Sequence, residues 1–187
     1  YFRRVKKYFQ EEIDYTRKLI IAMVYVVIIL RCMFKLLILD VDGVLTTGSK
    51  TYDLEGNVIS KEFNDKDFTA IKQFKNKNIS VCFVTADDRV NRAVAKSRKI
   101  DFYYVREMTK KDKSELLPYL TSKYNVNTDE IAYVGDDLPD LQIIKKLKYT
   151  YCPSDSIYEI KNSVNTVLTR AGGTGVIAEL YDNIYNE

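Results

Sequence analysis

The sequence predicts an α/β fold: a Rossmann-like central parallel sheet with helices on both faces, a small β-hairpin and no large cap domain. Three observations predict it. From Phe34 onward, short apolar runs alternate with amphipathic stretches, the pattern of successive βαβ units. The runs Phe34–Leu39, Ile79–Val84 and Ile131–Val134 are apolar throughout, as in strands buried on both faces. A hydrophobic content of 46% beside 29% charged residues, in 187 residues, suits one cored domain plus an appendage.

The elements follow in chain order. Phe34–Leu39 (FKLLIL) is a buried strand that runs into Asp40. Lys50–Phe63 reads as a hairpin, two β-prone runs flanking the turn residues Glu55-Gly56-Asn57. Asp67–Lys77 is a helix with Phe68, Ile71 and Phe74 on one face. Ile79–Val84 is the second strand and ends at Thr85, and Asp88–Lys99 is a basic helix. Asp101–Val105 is the third strand, and Asp112–Tyr124 is a helix with Leu116, Leu117 and Leu120 aligned. Ile131–Val134 is the fourth strand and runs into Gly135-Asp136-Asp137. Leu138–Leu147 is helical, with Pro139 in a first turn that tolerates it. Tyr149–Cys152 and Thr166–Leu168 are short strands, and a glycine-rich Gly172–Gly175 leads into a last helix, Val176–Tyr185.

Residues 1–32 form a separate segment, and residues 33–187 the domain. Charged residues crowd the first eighteen positions, and an apolar run, Leu19–Leu30, follows. That run falls short of the roughly 20 residues a membrane-spanning helix needs. A short anchor, a packing helix and sequence outside the domain are the readings it leaves.

Composition removes whole classes of chemistry. The chain has no histidine, so Ser-His-Asp triads, Cys-His pairs and histidine-ligated zinc are excluded. Its three cysteines are far apart, with no Cys-x-x-Cys, which fits a reducing, cytoplasmic setting. A net charge of +3, from 29 basic and 26 acidic residues, is too balanced for nucleic acid to be the main partner.

Carboxylates at strand ends carry the chemistry. Asp40-Val41-Asp42-Gly43 places two of them two residues apart where the chain leaves a buried strand. One can attack phosphorus, and the other can protonate the leaving oxygen and then deprotonate water. Gly43 lets the backbone turn so that its amides approach phosphate oxygens. A turn that merely uses Asp and Gly would look the same. Gly135-Asp136-Asp137-x-x-Asp140 adds a second acidic cluster after another strand. Clustered carboxylates repel unless a cation sits among them, and an oxygen-only donor set points to Mg2+. Helix capping by Asp136 or Asp137 is compatible with that role. Thr85 can hydrogen-bond a phosphoryl oxygen. Lys113, near a helix start where a lysine opposes the dipole, suits phosphate binding.

These motifs, in this order, resemble those of the haloacid dehalogenase superfamily. Within it the chain is similar to the 3-deoxy-D-manno-octulosonate 8-phosphate phosphatases, through Tyr52-Asp53-x-x-Gly56, Phe63-Asn64-x-x-Asp67 and Arg170-x-Gly172-Gly173-x-Gly175. The resemblance implies a phosphatase acting through an aspartyl-phosphate on Asp40, with Asp42 as general acid and base. It implies Thr85, Lys113 and Gly43 on the phosphate, and Mg2+ held by Asp40, the Asp42 backbone carbonyl and Asp136. Asp137 and Asp140 would orient water ligands and their neighbours, and Thr46, Asn64, Asp67, Asp87 and Arg170 would meet the sugar. None of the gaps between the motifs holds a cap domain, and the resemblance implies a homotetramer instead. There the hairpin builds the interface and the Gly172–Gly175 tail reaches a neighbouring subunit's site.

Two departures bear on the substrate. Thr85-Ala86-Asp87 stands where the family has Thr-Gly-Arg, and relatives acting on nine-carbon, sialic-acid-type 9-phosphates also carry an acidic residue at the position of Asp87. Gly175-Val176-Ile177-Ala178-Glu179 stands where the family has Gly-Ala-Val-Arg-Glu, so an arginine clamp on a sugar carboxylate is missing. A non-catalytic module of this fold, fused to a nucleotide-sugar enzyme, is the remaining alternative.

Overall fold

The apolar run before Asp40 forms the central strand of a six-stranded parallel sheet. In the computed structural model, which describes Ile13, residues 15–20 and residues 34–185, β1 (Leu36–Leu39) is wholly buried and pairs on both sides. Next come a two-stranded antiparallel hairpin, β2 (Thr51–Tyr52) and β3 (Val58–Ser60), and helix α1 (Asp65–Asn76). They are followed by β4 (Ser80–Thr85), α2 (Arg89–Ser97), β5 (Asp101–Tyr104) and the short α3 (Val105–Met108). A 3-10 turn at Lys113–Leu116 leads into α4 (Leu117–Tyr124), and β6 (Ile131–Val134) follows. A second 3-10 turn, Leu138–Asp140, precedes α5 (Leu141–Ile144) and β7 (Tyr149–Cys152). The last elements are α6 (Tyr158–Lys161), β8 (Thr166–Val167) and α7 (Val176–Tyr185).

The strand order is β5-β4-β1-β6-β7-β8. The chain winds outward from β1 through β4 to β5, then returns beside β1 as β6 and winds the other way. This reversal opens a crevice beyond the carboxyl ends of β1, β4 and β6. Asp40, Thr85 and Gly135-Asp136 all lie at that edge.

Side chains of β1 alternate between two cores, as strand geometry requires. Leu36 and Ile38 join Cys82, Val84, Tyr133, Leu116, Leu117, Leu120, Ile143 and Ile144 on one face. On the other side α1 packs along α7, and Tyr181 meets the edge of buried Phe74 with ring centroids 5.1 Å apart. Fully burying a residue such as Phe74 contributes roughly 1.5–3 kcal/mol.

Several elements differ from expectation at their ends. Helix α1 starts at Asp65 rather than Asp67, because the Asn64 side chain accepts the Lys66 amide at 3.0 Å and caps it there. The helices expected over Asp112–Tyr124 and Leu138–Leu147 each open with a 3-10 turn capped by an aspartate, Asp112 or Asp137. The helical turns Val105–Met108 and Tyr158–Lys161 carry no helical period in so few residues.

The chain divides into two compact units, Tyr1–Met33 and Phe34–Glu187. In the first, residues 15–20 are helical and exposed, and most of the Leu19–Leu30 run lies outside the described residues. Among the described residues, no helix is long and apolar enough to cross a membrane.

Asp67 shows how the C-terminal helix is held. Its Oδ1 accepts the amides of Ile177 at 2.8 Å and Ala178 at 3.1 Å in the first turn of α7, while its Oδ2 is buried without a partner. Burial raises its pKa to about 6 despite those amides and Arg170. The unfolded value is about 3.9, so the folded protein holds this proton more tightly. The stability it contributes is present below about pH 4 and lost as pH rises through about 6. Asp67→Asn is expected to flatten that limb of the stability profile, read from thermal melts between pH 4 and 7.5. A profile of unchanged slope would show that Asp67 does not titrate there.

Candidate active site

Asp40 leaves β1 with its backbone amide bonded to the Val134 carbonyl at 2.9 Å, which joins the ends of β1 and β6. Its Oδ1 accepts the Val41 amide at 2.8 Å, and its Oδ2 faces Lys113 Nζ at 2.8 Å. Lys113 is almost fully buried and also donates to Asp140 Oδ1 at 2.6 Å. Burial opposes its charge, but the two carboxylates prevail and raise its pKa.

Asp140 organises this corner. The Tyr133 hydroxyl donates to the same Oδ1 at 2.6 Å, and the amides of Asp136 and Asp137 donate to Oδ2 at 2.8 and 3.1 Å. Both Asp140 oxygens are thereby used within the protein. Asp136 differs: its Oδ1 is buried and has no hydrogen-bond partner. Carboxylate oxygens of Asp40, Asp136 and Asp140 lie within 4.8 Å of one another. Burial first, then the Asp40 charge, pushes Asp136 up to about 8, and burial likewise raises Asp40. Two crowded carboxylates with an orphaned oxygen between them fit a hard divalent cation, whose charge would favour their ionised forms. Gly43 makes the approach possible. Its φ is +85°, and a Cβ there would come within 2.0 Å of Asp136 Oδ2.

On the other side of the cleft is a second network that the sequence did not reveal. Lys61, just past β3, donates to Asp42 Oδ1 at 2.6 Å, Asp87 Oδ2 at 2.8 Å and Asn91 Oδ1 at 2.9 Å. Lys50 donates to Asp87 Oδ2 at 2.8 Å and lies 3.5 Å from Asp42 Oδ2. Asn91 donates to Asp42 Oδ2 at 3.2 Å and to Thr85 Oγ1 at 3.1 Å. Lys50 and Lys61 lie in a polar hairpin with no spacing to mark them, and only the hairpin's position over α2 brings them here.

The cleft has a volume of about 850 Å³. Asp40, Asp42, Gly43, Thr85, Asp87, Lys113, Asp136 and Asp137 all line it, and Arg89 and Arg106 stand on its wall. Four residues expected to meet substrate are bonded within the chain. Thr46 is fully buried, and its hydroxyl braces the Asp40 loop by accepting the Gly48 amide at 3.2 Å. Asn64 and Asp67 cap α1 and α7. Arg170 donates to the Thr174 carbonyl at 3.1 Å, beside the glycine turn. The Gly172–Gly175 segment, expected to reach a neighbouring subunit, packs here on its own chain. The Gly173 amide donates to the Val44 carbonyl at 2.9 Å, and a Cβ at Gly172 would meet the Gly43 carbonyl oxygen at 2.1 Å.

Comparison with known proteins agrees with this geometry. A family model described as haloacid dehalogenase-like hydrolase matches residues 104–180. The chain is 31% identical over 152 residues to the 3-deoxy-D-manno-octulosonate 8-phosphate phosphatase of Haemophilus influenzae, covering 80% of this chain and 82% of that protein. The cobalt-bound form of the Haemophilus influenzae phosphatase matches in structure with a TM-score of 0.75 at 30% identity, over 82% of this chain and 88% of that one. The Moraxella catarrhalis 3-deoxy-D-manno-octulosonate 8-phosphate phosphatase, solved with magnesium, phosphate and KDO, matches with a TM-score of 0.73 at 26% identity. That match covers 82% of this chain and 86% of the other.

Proposed function

Because the chain belongs to the haloacid dehalogenase-like hydrolase family and is a phosphoric monoester hydrolase, we propose that it removes phosphate from a 2-keto-3-deoxy sugar acid of the 3-deoxy-D-manno-octulosonate 8-phosphate type, with Mg2+ as cofactor. The observation that carries the metal and the mechanism is the pair of buried Asp40 and half-buried Asp136, whose buried Oδ1 has no partner within the protein. The complete set of Asp40, Asp42, Thr85, Lys113 and Asp136 around one cleft argues against a purely structural module.

In this reading an Asp40 oxygen attacks phosphorus and the bond from phosphorus to the sugar oxygen breaks, while Asp42 gives that oxygen a proton. Asp42 then takes a proton from water as the water attacks the aspartyl-phosphate, which frees Asp40 and inorganic phosphate. Lys113 and the Thr85 hydroxyl stabilise charge on the phosphoryl oxygens, and Asp140 keeps Lys113 in place. Asp40, Asp136 and the Asp42 carbonyl would hold the magnesium, whose charge lets an anionic nucleophile meet an anionic phosphate. Arg89 and Arg106, which form no ion pair among the described residues, would face the sugar's carboxylate. Burial of the free thiols Cys82 and Cys152 suits a cytoplasmic setting. A homotetramer joined through the hairpin would cover Tyr52, Leu54 and Ile59, which are exposed here.

The test is phosphate release from eight- and nine-carbon ulosonate phosphates with and without chelator. Activity on at least one is expected to fall to background with EDTA and return with Mg2+. A saturating concentration, about 100 times Kd, is also expected to stabilise the fold by roughly 2.7 kcal/mol. Undiminished turnover in EDTA, with no thermal shift on adding Mg2+, would refute the metal assignment.

A further inference from the structure

We infer that Lys61, anchored by Asp87, is a positioning residue that holds the Asp42 carboxyl in place for its part in proton transfer, so that Asp87 is an internal counter-ion and not a reader of the sugar. The inference rests on the phosphatase reading and deepens it.

The Lys61 side chain has no exposure to solvent. A buried ammonium costs several kcal/mol unless it is paired and its protons are satisfied. Lys61 meets that condition in full, since its three donors go to the three acceptors Asp42 Oδ1, Asp87 Oδ2 and Asn91 Oδ1. The two Asp42 oxygens are gripped from different elements. Oδ1 is held from the end of the hairpin by Lys61, and Oδ2 from α2 by Asn91. Asn91 is itself fully buried and bonded to Thr85, so the grip also registers Asp42 against a phosphate-binding hydroxyl.

Asp87 completes the arrangement. Its Oδ2 accepts from both Lys50 and Lys61, which balances two lysines against Asp42 and Asp87. An oxygen already engaged by two ammonium groups is a poor acceptor for a sugar hydroxyl. The hairpin thus supports the proton-transfer group as well as forming part of the cleft wall.

A substrate with a poor leaving group separates this role from simple structural support. A sugar alkoxide needs the Asp42 proton to leave, whereas a nitrophenolate leaves without it. The value of kcat/KM reports phosphoryl transfer to Asp40 and excludes the later hydrolysis of the aspartyl-phosphate. Lys61→Met is expected to lower kcat/KM on the sugar acid phosphate on the order of 100-fold and on p-nitrophenyl phosphate less than about 10-fold. Asp87→Asn is expected to shift the ratio the same way by less. The double variant is expected to be no worse than Lys61→Met, because both act through one contact. If Lys61→Met does not fold, Lys61→Arg and the half-buried Asp87→Asn carry the same comparison.

Equal losses on both substrates would overturn the inference. So would an Asp87→Asn enzyme that changes its preference between eight- and nine-carbon acids with an unchanged leaving-group ratio. Wild-type protein inactive on both substrates would instead sink the phosphatase reading itself.

Discussion

Asp40→Asn is expected to slow phosphate release by about 10^4-fold or more, the scale seen when a nucleophile is removed from an intact site. The amide has nearly the shape of the carboxylate and can still accept the Val41 amide, but it cannot attack phosphorus. Lys113 keeps its partner Asp140 at 2.6 Å, so the variant is expected to fold. The check is single-turnover phosphate release beside a thermal melt. A folded variant that retains turnover within tenfold of wild type would place the nucleophile elsewhere.

The second large effect concerns stability. Asp140→Ala is expected to lower unfolding free energy by about 3–5 kcal/mol, the cost of leaving a buried charge without its partner. The carboxylate has no solvent exposure and accepts from four donors. Without it, the Tyr133 hydroxyl and the Asp136 and Asp137 amides lose their acceptor, and Lys113 retains only Asp40. Urea denaturation would read the change as a lower midpoint at constant slope. A loss under 1 kcal/mol would mean that water replaces the carboxylate and the corner is more open than the structure describes.

What the sequence exposed and what it hid follow from chain separation. Asp40, Asp42 and Asp136 were legible because a buried strand followed by an acidic turn is a local pattern, and the sheet order then brings the strand ends together. Lys113 was legible as a lysine at a helix start, where its charge opposes the dipole. Lys61 and Asn91 were not, since 30 residues separate them and only the packing of the hairpin over α2 joins them. Asn64, Asp67 and Thr46 read as polar groups near a site, yet each satisfies backbone amides. A residue type suited to substrate is equally suited to capping, so the sequence alone offers both readings. Asp87 falls between these cases, placed in the cleft as expected but engaged by two lysines.

Gly172 and Gly173 lie against the loop that carries Asp42 and Gly43, with no room for a Cβ between them. The mutational tolerance of this far end of the domain is therefore tied to the shape of that loop. An alanine at position 172 would press on the Gly43 carbonyl, and either the tail or the loop that carries Asp42 would have to give way. Drift at these two positions would cost packing along the Asp42 loop and, at Gly173, where φ is +72°, backbone strain as well.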